Sequence, residues 1–161
     1  MKFLGWTAIA VALLGFAVVI AGQFGALSGT MPKRLGVTDG RLNPPSNTPN
    51  SVSSQAYLYP GHAQLAYAAM EPIKPTGDAV AGMRRLAALL RTSAGVQLVT
   101  DEPDHLYAQC STSVLKFTDD VEFWLDRQAD VIHFRSASRI GRKDFGANRA
   151  RIEAIRAQLD N

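Results

Sequence analysis

The sequence predicts an α+β fold: an N-terminal transmembrane helix, then a two-layer domain with a four-stranded antiparallel meander and helices before and after it. Three observations carry this prediction. Residues 3–22 are an uncharged apolar run. Four short segments rich in β-branched and aromatic residues follow one another between residues 96 and 138, separated by turn residues. Helical periodicity flanks them, near residues 78–92 and 146–159.

The apolar run reads FLGWTAIAVALLGFAVVIAG, and its 20 residues span about 30 Å as a helix, the thickness of a bilayer's hydrocarbon core. The core of a cleaved signal peptide is shorter, about 7–15 residues, so length favours a retained anchor over residues 1–29. Ala26-Leu27-Ser28 supplies small residues for the competing reading, a cleaved signal. Lys2 favours a cytoplasmic N-terminus by the positive-inside rule, while Lys33, Arg34 and Arg41 pull the other way. A short Met-Lys-apolar start is that of a signal anchor, which puts the following domain outside the cytoplasm. Ala21, Gly25 and Gly29 are spaced by four, which puts three small residues on one helix face and permits close helix contact. The favoured reading is that Gly and Ala are simply common in membrane helices.

Residues 30–56 predict a linker or strap. Asp39-Gly40 is a turn signal, and Pro44-Pro45 and Pro49 forbid a continuous helix or a central strand. Residues 57–161 are expected to form the folded domain. Thr76 or Asp78 caps the first helix, whose apolar stripe is Ala79, Val80, Met83, Leu86, Ala87 and Leu90. Strands are expected at 96–100, 106–113, 121–126 and 131–138. The last helix carries Ile152, Ile155 and Leu159 on one face.

Register follows for the last hairpin if 127–130 is its loop. Val121, Phe123 and Leu125 then share the buried face with Ile132 and Phe134, and a one-residue slip would mix apolar and polar sets. Glu122 falls opposite Arg135 and Trp124 opposite His133. A cross-strand Glu122–Arg135 ion pair is therefore expected.

The net charge of +3 hides a division. Residues 100–126 hold seven acids and one base, and residues 135–161 hold seven bases and three acids. Two readings follow. Asp119, Asp120 and Glu122 pair internally with Arg135, Arg139 and Arg142, or Arg135, Ser136, Ser138 and Arg139 form a face for an anionic small molecule or lipid headgroup. Nucleic acid fits poorly, because the net charge is small and the domain is expected outside the cytoplasm. No nucleophile elbow, phosphate loop or HExxH occurs in the sequence. His62, His105 and His133 lack ligand spacing, so no metal and no cofactor is expected. His105 follows a turn and is expected to be exposed. Cys110, the single cysteine, lies mid-strand as a core thiol and allows no internal disulfide.

Three stretches, DGRL…PNSVSSQA, TDDVEFWLD and VIHFRSASRIGRKDFGANRARIEAIRAQL, resemble the largely bacterial family called domain of unknown function 1499, from about Leu35 to the C-terminus. The resemblance implies no reaction. It singles out Asp119, Asp120, Glu122, Arg135, Ser136, Ser138, Arg139, Gly141, Asp144, Gly146, Asn148 and Arg151. It also implies a departure: members commonly carry a Cys pair around the PNxVSS segment, where this chain has Pro45 and Ser51. By position, Asp144 is suited to cap the last helix or a turn, with Asn148 and Arg151 on the helix's first turns. Arg139 and Arg151 are both placed to reach Asp119 or Asp120. The expected function is that of a non-enzymatic, membrane-anchored accessory domain of the bacterial inner membrane, facing the periplasm and partnered by other membrane-complex subunits.

Overall fold

The computed structural model describes residues 2–160, with side chains from residue 5 onward. Helix α1 spans Lys2–Gln23. An irregular stretch follows, up to strand β1 at Ser51–Ser53. A 3-10 turn at Ala56–Leu58 and the short α2, Leu65–Ala68, lead to α3, Ala79–Thr92. Strands β2 (Val96–Asp101), β3 (His105–Ser111), β4 (Thr118–Asp126) and β5 (Val131–Ser138) precede α4, Ala147–Leu159.

The sheet has five strands in the order β1-β5-β4-β3-β2, all antiparallel. The predicted meander is present as β2–β5, and the four-stranded expectation is corrected by one strand. The added strand is the SVS triplet, paired with β5 as Ser51↔Ala137, Val52↔Ser136 and Ser53↔Arg135. Its three residues are all buried, and their two serines hide the apolar alternation that marks a strand. The last hairpin has the predicted register, with Glu122↔Arg135, Phe123↔Phe134 and Trp124↔His133.

Asp78 caps α3, accepting from the Ala81 N–H at 2.7 Å. Met83, Leu86 and Leu90 of α3 and Ile152, Ile155 and Leu159 of α4 join one core with Leu106, Val121, Phe123, Ile132 and Phe134. Gly82 has a specific packing reason: a Cβ there would lie 2.2 Å from the Pro75 ring. Both helices therefore cover one face of the sheet, as a two-layer α+β architecture requires.

Residues 31–44 cover the other face, where Gly36 and Pro44 bond Glu122 and Arg135. Asp39-Gly40 turns the strap between the paired residues Thr38 and Arg41. Leu42 is buried beneath it. A small-residue face through Gly29 does not form, because α1 ends at Gln23 and Gly25 and Gly29 adopt left-handed turns at φ +81° and +68°.

Candidate functional site

Strand pleating sends alternate residues to opposite faces, and this divides the predicted site residues into two clusters. Asp119, Ser136 and Ser138 point toward the helices. Asp120, Glu122 and Arg135 point toward the strap, where Arg139, just past β5, joins them. Arg135, Ser136, Ser138 and Arg139 thus do not make one binding face.

On the helix side, Arg151 of α4 reaches Asp119 Oδ2 at 2.5 Å. Its other terminal nitrogen donates to Ser136 Oγ at 2.9 Å and to Asn148 Oδ1 at 2.8 Å. Asn148 is fully buried. Its amide donates to Ser138 Oγ, Asp144 Oδ2 and the Asn50 carbonyl at 2.8–3.1 Å. Asp144 accepts from the N–H groups of Gly146 and Asn148 and from the Tyr67 hydroxyl. It is thus the anchor of the α4 N-terminus. Burial pushes its pKa up, but the hydrogen bonds from Tyr67, Asn148 and Gly146 outweigh that and hold it below the ordinary value. This cluster joins β4, β5, α4 and the residue before β1.

Cys110 lies buried near this cluster. Burial raises its thiol pKa, with Arg151 opposing, which favours the protonated thiol at the core position expected for it.

On the strap side, Arg139 grips Asp120 through two bonds, Nε to Oδ2 at 2.9 Å and Nη2 to Oδ1 at 2.7 Å. The Tyr107 hydroxyl donates to Asp120 Oδ1 at 2.6 Å and accepts from Gln109 at 3.0 Å. Burial first, then the Asp120 carboxylate, raise the Tyr107 pKa. The hydrogen bond to Asp120 raises that of Arg139. The fork geometry and small exposure (7% and 2% of the side chains) make this a buried bidentate pair.

The expected Glu122–Arg135 ion pair is not formed: no contact within salt-bridge distance joins them, although they sit opposite in register. Each serves the strap backbone instead. Glu122 Oε1 accepts from the Gly36 N–H, and Arg135 Nε donates to the Pro44 carbonyl at 3.0 Å. Burial lowers the Arg135 pKa, and Glu122 across the ladder opposes that. Glu122 is 1% exposed, and its Oε2 has no hydrogen-bond partner. His105 is half-buried rather than exposed, with Nε2 3.5 Å from Glu122 Oε1. The β3–β4 pairing puts His105 opposite Trp124, two rungs along the ladder from Glu122.

Asn50, Gln55, Tyr67 and Tyr107 complete these clusters and escaped the sequence reading. Gln55 is the clearest case: Oε1 accepts from the Leu42 N–H at 2.8 Å, and its amide donates to the Gly40 carbonyl at 2.9 Å. Nothing in spacing marks Gln55, because its partners lie 13–15 residues away in irregular chain. Asn50 and Gln55 did fall within a stretch that carried the family resemblance.

Site and fold together define a two-layer α+β domain with a five-stranded sheet, a charged lock on each face and an apolar N-terminal helix. The chain belongs to the family described as "Protein of unknown function (DUF1499)", whose model matches residues 41–159. No curated protein and no solved structure matches it.

Proposed function

We propose that this protein is a single-pass component of the bacterial inner membrane, with α1 as a retained anchor and the folded domain in the periplasm. There it acts as a non-enzymatic accessory subunit of a membrane assembly. The observation that supports this reading best is the contrast between α1 and the polar clusters. Helix α1 is long and apolar enough to cross a membrane, and only 6% of its apolar window is covered by the rest of the protein. Leu14 and Phe16 are 67% and 66% exposed, a surface that needs lipid or another helix around it. The acids Asp119 and Asp120, by contrast, are both closed on internal arginines. Their chemistry is spent on joining strands, helix and strap. Lys2 at the start of α1 supports a cytoplasmic N-terminus.

The test is native purification in several mild detergents, with cross-linking before lysis. Co-migration of the intact chain with a larger membrane assembly is expected. Recovery as a free monomer under all of these conditions overturns the accessory role.

A further inference from the structure

Helix α1 is not an isolated appendage at its C-terminal end. The Gln23 side-chain amide donates to the Val114 carbonyl at 2.7 Å. Gly22 lies so close to the Leu115 carbonyl that a Cβ would stand 2.5 Å from its oxygen. Gly29 approaches Arg139 and Ile140 equally closely, at 2.7 and 2.9 Å for a Cβ. Two loops are thereby held at the end of the helix: 112–117 between β3 and β4, and 139–146 between β5 and α4. If α1 spans a bilayer, these loops lie at its surface.

Their composition matches that place. Val114, Ile140 and Phe145 are exposed, Phe145 at 95%. Lys116, Arg142 and Lys143 accompany them, and Asp144, the one acid in the two loops, is consumed by the helix cap. Residues of both loops line one mostly apolar cavity of about 340 Å³, with Phe117, Ile140, Lys143 and Phe145 in its wall.

Phe145 is the telling residue. It has φ +53°, a left-handed backbone that suits Gly or Asn and disfavours a bulky side chain. Its ring touches little of its own domain. The fold has no internal use for a phenyl group at this position, whereas the interfacial layer of a bilayer has one.

We propose that this end of the domain rests in the headgroup layer of an anionic bilayer, with Phe145 inserted and Lys116, Arg142 and Lys143 facing lipid phosphates. The inference rests on the reading of α1 as a membrane span and adds a second contact to it. Basic side chains gain from anionic lipid only within about a Debye length of the surface, and the contacts at Gly22, Gln23 and Gly29 supply that proximity.

The test uses the full chain carrying Cys110→Ala, with nitroxide labels placed singly through Trp6→Cys, Phe145→Cys or Gln128→Cys. Gln128 lies in the β4–β5 loop at the opposite end of the sheet. Collisional access to oxygen and to a nickel chelate is read in vesicles of phosphatidylcholine, with and without phosphatidylglycerol. In anionic vesicles, labels at 6 and 145 should favour oxygen and the label at 128 should favour nickel. In neutral vesicles, or with Lys116→Gln, Arg142→Gln and Lys143→Gln combined, the label at 145 should shift toward nickel while the label at 6 stays unchanged. Nickel access at 145 in anionic vesicles, with 6 still buried in lipid, overturns the surface contact and leaves the anchor standing. Nickel access at 6 overturns the anchor itself. A label at 145 shielded from both reagents points to a protein partner and overturns the lipid assignment, as does equal oxygen access in neutral and anionic vesicles. Independently, Phe145→Gly should raise the melting temperature in detergent. A fall would show that the ring packs within the domain and would overturn its assignment to lipid.

Discussion

The two faces of the sheet are covered in different ways. The helix face is apolar at its centre, and α3 and α4 cover it with regular secondary structure that satisfies its own backbone. The strap face is polar, and an irregular segment covers it. Such a segment has backbone N–H and C=O groups with no ladder to join, and burying them unpaired costs about 1–3 kcal/mol each. The charged and amide side chains beneath supply the partners: Glu122 for Gly36, Arg135 for Pro44 and Gln55 for Leu42 and Gly40. Glu122 and Arg135 in this buried layer are therefore matched to their cover rather than to each other, while Asp120 on the same face is matched to Arg139. That is why Glu122 and Arg135, correctly placed opposite one another, do not pair.

The largest effect is expected where charge is most deeply buried. Asp120→Ala leaves Arg139 buried without its carboxylate and should destabilise the protein by about 3–5 kcal/mol, measured by denaturant unfolding in detergent. Asp120→Leu combined with Arg139→Met should recover most of that loss, because both charges leave together. If the double variant is as unstable as the single one, the pair does more than neutralise itself.

A smaller loss separates cover from core. Gln55→Ala removes two strap bonds and should cost about 1–3 kcal/mol. Amide exchange at Leu42 should accelerate strongly, while exchange at Ile152 in α4 should follow global stability alone. Equal acceleration at both sites would mean that strap and core open as one unit.

On the helix face, Asp144→Ala removes the acceptor at the α4 N-terminus and should cost about 0.5–2 kcal/mol. The first turn of α4 should exchange faster in proportion.

The mildest perturbation is pH. The folded pKa of Asp144 is depressed, so its contribution is complete above about pH 4, the ordinary carboxylate value, and is lost as pH falls through the lower folded value. His133 is lowered by burial, with Asp126 opposing, so the fold favours the neutral ring. Its contribution is complete above about pH 6.5 and declines as pH falls through its folded value. Melting temperature should therefore drop in two acid-side steps, on the two faces. Asp144→Asn should remove the lower step and His133→Gln the upper one. Loss of both steps in either variant would break the assignment of one titration to each face.

Much of the architecture was legible residue by residue. Apolar periodicity located α3 and α4, and alternation located β5 at 131–138 and the pairing of Glu122 with Arg135 in the ladder. Asp78 was readable as a cap and Asp144, two residues before the Gly146 cap, as the acceptor for the α4 N-terminus, because both interactions are local. Strand β1 was not, since a buried Ser-Val-Ser triplet shows no alternation and takes its identity from β5. The halves of the candidate site were present in sequence as two charge clusters, and Arg139 and Arg151 were both placed to reach Asp119 or Asp120. Which base takes which acid was not legible: Asp119 meets Arg151 on one face, while its neighbour Asp120 meets Arg139 on the other.

By itself the sequence determined the apolar helix, the order of the meander and helices, and the hairpin register, because each rests on the period of a local pattern or on a turn. Tertiary structure alone decided which charges meet and what covers the polar face. Those outcomes depend on contacts between residues far apart in the chain, such as Gly36 with Glu122 and Asn50 with Asn148. An irregular strap has no periodicity from which its course can be read. Its route is settled by where its backbone groups find partners, and those exist only once the sheet has formed.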